Sequence, residues 1–484
     1  MKLTIRNLFL VILFCGIFFL SLRPIVDPDF WWHLRTGQLI NEARSIPNAD
    51  PFSFTAAAKP WITHEWLSEF FIYKSFELGG YGLLILIFSA FITVSFLISY
   101  FRCPNGSKPY LAGFAVLLGA ITSAPIWGVR PQMFNLFFTS IFLFLLDEYR
   151  RNDNFKTLIP IPLITVLWVN MHAGYILGIA IVIIYIFGFL LEIVMDKYHK
   201  KEKISETTKK SFWILIFVII SSIFAILINP SGARLVAYPF QTLTDSAMQT
   251  YISEWFSPDF HLLIWQPFAF LILVLIGAGM FGNRPISITK ILLTLVFGYG
   301  ALRSIRNIPL FAIVVIPVLA EQFCQLINFK PDVQKLSRHF RYVTFIAIIA
   351  LATILVLGFI RVSNNQQRSE TETFPKDAVE WIMDNEPKGN LFNSYNWGGY
   401  IIWKLYPDYP VYIDGRADLY GKEFISKYTK IYFAKPGWEE KLDQDNIAIV
   451  FIEPDAMLAV ALRQSSSWEK SYEDKMSVIF LRNN

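Results

Sequence analysis

Two carboxylates two residues apart, Asp27 and Asp29, open the stretch of this 484-residue chain that is densest in groups able to do chemistry. The run DPDFWWHLRTGQ holds both, and Asp50 and the adjacent pair His64 and Glu65 follow it. Paired carboxylate oxygens suit a hard divalent ion such as Mg2+ or Mn2+. Alternatively, one of them acts as a general base towards an acceptor hydroxyl, with proximity supplying much of the effect. His33, Arg35, His64 and Glu65 supply donors and acceptors for a bound substrate. The Asp-x-Asp spacing alone is common on exposed loops, so its weight depends on what surrounds it. Trp31, Trp32, Trp61 and Trp66 are either sugar-stacking platforms or an aromatic belt at the headgroup level.

What surrounds it is membrane-grade sequence. The chain is 54% hydrophobic and 17% charged, against about 25% charged residues in soluble domains. Runs such as FWILIFVIISSIFAILI have no polar face and would be hard to hide in a soluble core. The basic start and the apolar run 8–22 resemble a signal peptide without a small-residue cleavage site, which reads as a retained anchor. Eleven apolar spans are expected, from 8–22 to 342–360. The basic positions Lys2 and Arg6, Arg102 and Lys108, Arg150, Arg151 and Lys156, the loop 196–210, Arg284 and Lys290, and the loop 330–341 then all fall on one side. That side is the cytoplasm of a bacterial inner membrane. The N-terminus is inside, and the first loop, 23–80, is outside. Residues 67–78, apolar at helical spacing but interrupted by Glu69, Lys74 and Glu77, suit a helix lying in the interface.

This topology gathers further charges at the outer ends of the spans. Arg130 lies in IWGVRPQMFN, His172 in WVNMHAGYILG, and Arg303 and Arg306 in YGALRSIRNIPLF. Charges near membrane depth are costly unless paired or wetted, which makes them functional candidates. Each also has a bland reading, since an interface arginine can snorkel to lipid phosphate and a lone histidine can cap a helix. Taken jointly, they are expected to face the carboxylate segment across one wet pocket and to hold a lipid phosphate or diphosphate. Neutralising that phosphate as a sugar–oxygen bond breaks would improve the leaving group.

The residues from about 366 are a different material. From Arg361 onward there are 15 basic and 19 acidic residues, so the basic excess behind the net charge of +5 lies earlier, in short loops. That distribution sets topology and gives no nucleic-acid footprint. Short apolar strands at NLFNS, around YPVYIDG, at IAIVFIEP and at MSVIFLR alternate with helical stretches. They predict a small α/β outer domain with a partly parallel sheet over 366–484, set against a membrane domain over 1–365. Gly398 and Gly399 allow a turn that would display Asn396, Trp397 and Tyr400 at its rim. Asp414 and Arg416 are either binding residues after a strand or an internal ion pair bracing the turn. The three cysteines offer neither a disulfide framework nor a thiolate metal site.

The segment DFWWHLR resembles the first-loop pattern of the GT-C superfamily of membrane glycosyltransferases, and within it most resembles the catalytic subunit of oligosaccharyltransferase. PNADPFSF resembles the Asp-Pro-Phe segment that follows that pattern. The resemblance implies that Asp29 helps bind a divalent metal and faces the acceptor. NWGGY is similar to the element that reads the acceptor peptide there, although Asn396 and Gly398 stand in place of a tryptophan and the aspartate. The second-loop acidic pair of those enzymes has no counterpart, since the 126–131 turn offers Arg130 and no carboxylate. The chain also resembles bacterial membrane proteins of uncharacterised activity that share the DPDxWWHL and YIDGRxDLYG patterns. The expected fold is thus a polytopic, GT-C-like helical membrane protein with a small C-terminal α/β domain.

The expected function is transfer of a sugar from a polyprenyl-phosphate or -diphosphate donor to an acceptor outside the membrane. The partners are membrane lipid and that donor, with no nucleic acid. No Walker or dinucleotide-type glycine motif is present, which is compatible with a lipid-linked donor. The alternatives are a transporter or flippase for a lipid-linked or anionic solute, and a non-catalytic envelope assembly protein. Charge concentrated at one face, without duplicated spans, counts against the transporter.

Overall fold

A computed structural model of the chain describes residues 5–103, 108–200, 206–282, 285–327 and 338–483. Of the inner basic markers, Lys2, Arg284 and positions 201–205 and 328–337 lie outside the described residues. Helices α1 (Ile5–Ser21) and α2 (Phe30–Ala43) lead to α3 (Trp66–Phe101), α4 (Pro109–Ser123), α5 (Gln132–Asn152), α6 (Pro160–Met171) and α7 (Tyr175–Lys200). Next come α8 (Glu206–Ile226), α9 (Arg234–Thr244) and α10 (Ser246–Tyr251), then α11 (Gln266–Phe281), α12 (Ile288–Arg303), α13 (Ile308–Leu326) and α14 (Arg338–Thr373). The remainder runs α15 (Lys376–Asn385), β1 (Asn390–Asn393), α16 (Gly398–Leu405), α17 (Ala417–Tyr432), α18 (Trp438–Gln444), β2 (Ile447–Ile452), α19 (Met457–Leu462), β3 (Trp468–Glu473) and β4 (Val478–Arg482).

Among the described residues, six stretches are long and apolar enough to cross a membrane: Trp66–Phe101, Pro109–Ile126, Tyr175–Met195, Leu263–Phe281, Ile305–Leu326 and Tyr342–Thr373. Three shorter apolar helices, Ile5–Ser21, Phe155–Met171 and Lys210–Ile226, accompany them. A hydrocarbon core of about 30 Å needs ~20 helical residues, so length separates the two sets. Gly79 and Gly80 interrupt α3, with Gly80 at φ +61, a conformation that costs glycine little. The amphipathic 66–78 portion is therefore set off from the apolar portion by a kink.

The chain forms two compact units. The first comprises Met1–Arg23, Ile85–Pro239 and Ser253–Val362. Its core helix is α13, buried at every position from Ile308 to Ala320, with α4, α11 and α12 packed on it. Gly119 lets α4 approach closely, since a Cβ there would lie 2.9 Å from Ile316 Cδ1. Inside this unit Arg102 pairs with Asp147 at 2.9 Å, and Tyr185 donates to the same carboxylate at 2.5 Å. These pairings satisfy charges that would be costly alone in an apolar setting. Large apolar side chains such as Phe345, Ile346 and Ile349 on α14 are exposed, as a lipid-facing surface requires.

The second unit comprises Pro24–Leu84, Phe240–Ile252 and Ser363–Asn484. Its sheet has the order β1-β2-β4-β3, with β1 parallel to β2 and the other pairings antiparallel. The stretch around YPVYIDG was expected as a strand but is no rung of this sheet. Asn393 holds it instead, accepting from Tyr412 N and donating to Ile413 O at 2.8 Å each. Val411 pairs with the early segment, its N–H donating to Phe52 O at 3.0 Å. The strand β3, WEKSYE, was not expected, because its largely exposed polar side chains lack an apolar alternation. A third difference is α2: residues 30–43, read only as part of the first loop, are helical. Phe30, Trp31, Leu34 and Ile40 recur at helical spacing and bury one face.

Candidate functional site

In the second unit Asp29 stands at the N-terminal end of α2. Asp27 Oδ1 accepts from the Asp29 N–H at 2.9 Å, and Asp29 Oδ1 accepts from Trp32 Nε1 at 3.2 Å. Both carboxylates are half-buried. The C-terminal segment comes up against them through two glycines. A Cβ on Gly415 would lie 1.7 Å from Asp29 Oδ1, and one on Gly399 would lie 2.5 Å from Pro28 O. Tyr395 donates to Gly415 O at 3.3 Å. Burial, reinforced by the carboxylates of Asp29, Asp414 and Asp418, pushes its phenol well above the ordinary tyrosine range. Tyr395 is therefore a neutral donor under the influence of three acids.

One turn along α2, His33 meets the start of α3. Its Nδ1 lies 3.2 Å from Glu69 Oε1 and its Nε2 lies 3.5 Å from Glu65 Oε2. His64 Nε2 lies 3.2 Å from Glu65 Oε1. Burial works against charge on His64, yet Glu65 and Asp418 beside it hold its pKa above the ordinary histidine value. One ligand atom each from His33, Glu65 and Glu69 can be chosen so that all lie within 4.8 Å of one another, and all three residues are buried. Gly37 permits the approach, because a Cβ there would strike Glu69 O at 2.1 Å.

The remaining C-terminal candidates are mostly interior. Arg416 forks onto Asp414, Nε to Oδ1 at 2.8 Å and Nη2 to Oδ2 at 2.6 Å. Its Nη1 pairs with Asp50 Oδ1 at 2.7 Å. The guanidinium lies over Phe52 and Trp61, 5.0 and 4.7 Å from the ring centroids, with only 1% of the side chain exposed. Arg416 and the donated hydrogen bonds outweigh burial and hold Asp414 below its usual carboxylate range. Of the two readings of Asp414 and Arg416, this geometry is the internal brace, and it reaches across the chain to Asp50. Arg35 anchors in the same way, donating to Tyr406 O at 3.2 Å and lying 5.1 Å from that ring's centroid.

Asn396 is exposed, but Trp397 and Tyr400 are not displayed at a rim. Trp397 packs on Phe451, while Tyr400 packs against Trp31 and Phe374 and donates to Glu370 at 2.8 Å. Tyr400 faces inward because α16 packs on α2, and Trp397, just before that helix, faces β2 through Phe451. Trp31, Trp32 and Trp61 are likewise buried within this unit.

In the first unit Arg130 pairs with Glu254 at 2.5 Å. The turn carrying Arg303 and Arg306 docks on the same segment, with Ser304 Oγ donating to Glu254 O at 2.7 Å and Ile305 N to Phe256 O at 3.1 Å. Arg306 lies 5.1 Å from the centroid of the Trp255 ring. Burial alone would raise the Glu254 pKa, but Arg130 and Arg306 bring it below the ordinary value. Glu254 thus joins two of the candidate arginines, while Arg303, in the last turn of α12, is exposed. His172 stands in another network: its Nδ1 accepts from Gly174 N at 2.8 Å and faces Asn135 Nδ2 at 3.0 Å. Trp168 donates to Asn135 Oδ1 at 2.8 Å, which sets the amide orientation and assigns the His172 proton to Nε2.

Sequence reasoning did not single out Glu69, Tyr395, Asp418 or Glu254 as site residues. Glu65 and Glu69 are four apart, a spacing that shares a helix face and could have flagged the first. Tyr395, Asp418 and Glu254 carry no comparable signal.

No protein-family profile and no curated protein sequence matches the chain. Solved structures do share its fold. The Archaeoglobus fulgidus oligosaccharyltransferase in the apo form is 11% identical with a TM-score of 0.55, covering 92% of this chain and 69% of that one. The same similarity holds for Archaeoglobus fulgidus AglB in complex with an inhibitory peptide and a dolichol-phosphate. ArnT from Cupriavidus metallidurans bound to undecaprenyl phosphate is 14% identical with a TM-score of 0.53, covering 98% and 97% of the two chains. The fold of this chain is that of these solved structures.

Proposed function

We propose that this protein is a membrane glycosyltransferase that moves a sugar from a polyprenyl-phosphate or -diphosphate donor to an extracytoplasmic acceptor. The observation that carries the reading is the fold shared along 98% of the chain with an ArnT structure that holds undecaprenyl phosphate. Arg130, Arg303 and Arg306 hold the donor phosphate, the first two turns being joined through Glu254. Asp29 takes the proton of the acceptor as its oxygen or nitrogen attacks the anomeric carbon. The bond from that carbon to the phosphate oxygen breaks, and the electron pair leaves with the phosphate.

Asp27 and Asp29 are hard oxygen donors of the kind Mg2+ or Mn2+ takes, and a bound ion would supply charge stabilisation at the acceptor. His33, Arg35, His64, Glu65, His172 and Asn396 line or support the substrate sites, and Trp397, Tyr400, Asp414 and Arg416 brace them from within. In this reading the chain crosses the inner membrane eleven times, the N-terminus is cytoplasmic, residues 1–365 form the membrane domain, and 366–484 form an outer domain.

Mass spectrometry of envelope glycans and lipid-linked sugars from a deletion strain tests the proposal. A glycan should be missing and should return with wild type but not with Asp29→Ala. Equal restoration by a stably folded Asp29→Ala protein would favour an assembly or transport role.

A further inference from the structure

We propose that His33, Glu65 and Glu69 form a site for a divalent cation of the zinc, cobalt or manganese kind, separate in its ligands from Asp27 and Asp29. Two observations lead there. The donor atoms lie within 4.8 Å of one another in a buried setting. Donors around a tetrahedral ion are about 3.3 Å apart, given metal–ligand bonds near 2.0–2.1 Å, so side-chain rotations complete the set. Glu69 Oε1 faces His33, yet Glu69 Oε2 is buried with no hydrogen-bond partner among the described residues. A carboxylate oxygen left so is expensive without a cation to meet it.

The chemistry of the set then selects the ion. One imidazole with two carboxylates suits zinc-like and manganese-like ions, whereas Mg2+ prefers an all-oxygen shell that keeps its waters. His33 offers one nitrogen to the ion and its other ring nitrogen to a carboxylate, which fixes the tautomer. Three protein ligands leave room in the shell for water or another small donor.

The ion would also have mechanical work. It ties α2 to the first turn of α3, and His33 N donates to Asp29 O at 3.2 Å. Fixing His33 therefore fixes the end of the helix that carries Asp29. This inference does not depend on sugar transfer.

The test uses the full chain in detergent, stripped with a chelator and titrated with Co2+, with absorption spectra and calorimetry as readouts. One equivalent should bind at this site apart from any ion held by Asp27 and Asp29, and X-ray absorption of wild type loaded with one equivalent should show one imidazole in a mixed nitrogen and oxygen shell. Glu69→Gln, which is nearly isosteric, and His33→Gln should each weaken binding by at least about tenfold, while Asp27→Asn should leave it unchanged. No Co2+ uptake, or an all-oxygen shell lost in Asp27→Asn, would overturn the proposal. The wild-type spectrum keeps the test decisive even if a substituted chain folds poorly.

Discussion

Two charge networks, one in each compact unit, differ in how far they are sealed from solvent. In the second, Asp50, Arg416, Asp414 and Tyr420 form a closed network without solvent access. In the first, Arg130 and Glu254 meet with 17% and 28% of their side chains exposed, and Arg303 faces outward. A sealed ion network specifies how two distant chain segments fit together, because misplacing either leaves a charge buried alone. A half-open pair can exchange its carboxylate for another anion at small cost. In the proposed function, the sealed network holds the segment that carries Asp29, and the half-open pair leaves Arg130 able to take a phosphate.

The largest effect should follow from opening the sealed network. Arg416→Met leaves Asp50 and Asp414 buried without their cation, and the loss should be about 3–5 kcal/mol. Thermal unfolding would read it, and hydrogen exchange should rise specifically over 50–61 and 411–420. Next comes Gly415→Ala, whose methyl would fall on Asp29 Oδ1. Relief should cost about 1–3 kcal/mol, and the displaced Asp29 should lose activity beyond the loss of stability. A stable, fully active Gly415→Ala protein would break the claim that this unit positions Asp29.

The same network should show in acid. Asp414 has a folded pKa below its ordinary 3.8. Its stabilisation is therefore complete above about pH 4 and disappears as pH falls through the depressed folded value. Acid unfolding of wild type should be steeper than that of Arg416→Met, which has already lost the contribution. Parallel curves would contradict the assignment. The smallest change in stability should come from Glu254→Gln, within about 1 kcal/mol. Because it removes the carboxylate that competes for Arg130 and Arg306, this variant should bind undecaprenyl phosphate more tightly in native mass spectrometry. Weaker binding would mean that Glu254 orients the arginines more than it occupies them.

Much of this was legible in the sequence where the signal is local. The apolar runs, β1, β2 and β4, the helices flanking them and the Asp414–Arg416 pair all announce themselves within a few residues. The rest depends on partners far apart in the chain. Asp50 and Arg416 are separated by hundreds of residues, and neither spacing nor composition links them. Gly399 reads as a turn glycine and Gly415 carries no signal of its own, but their neighbours are Pro28 and Asp29, so they serve as close-approach sites. Trp397 and Tyr400 looked like display residues because an aromatic near a turn can face either way, and only the packing on Phe451 and Trp31 decides it. Helix α2 was read as loop because Asp27-Pro28-Asp29 and a crowd of functional side chains masked its helical spacing.

The most direct test of the central claim is release of polyprenyl phosphate or diphosphate from extracted lipid-linked sugars by the purified protein, with acceptor present. Wild type should release it, and Asp29→Ala should bind the carrier lipid equally well but release none. Release by Asp29→Ala at the wild-type rate, or none by a wild-type protein that binds the lipid, would contradict the account.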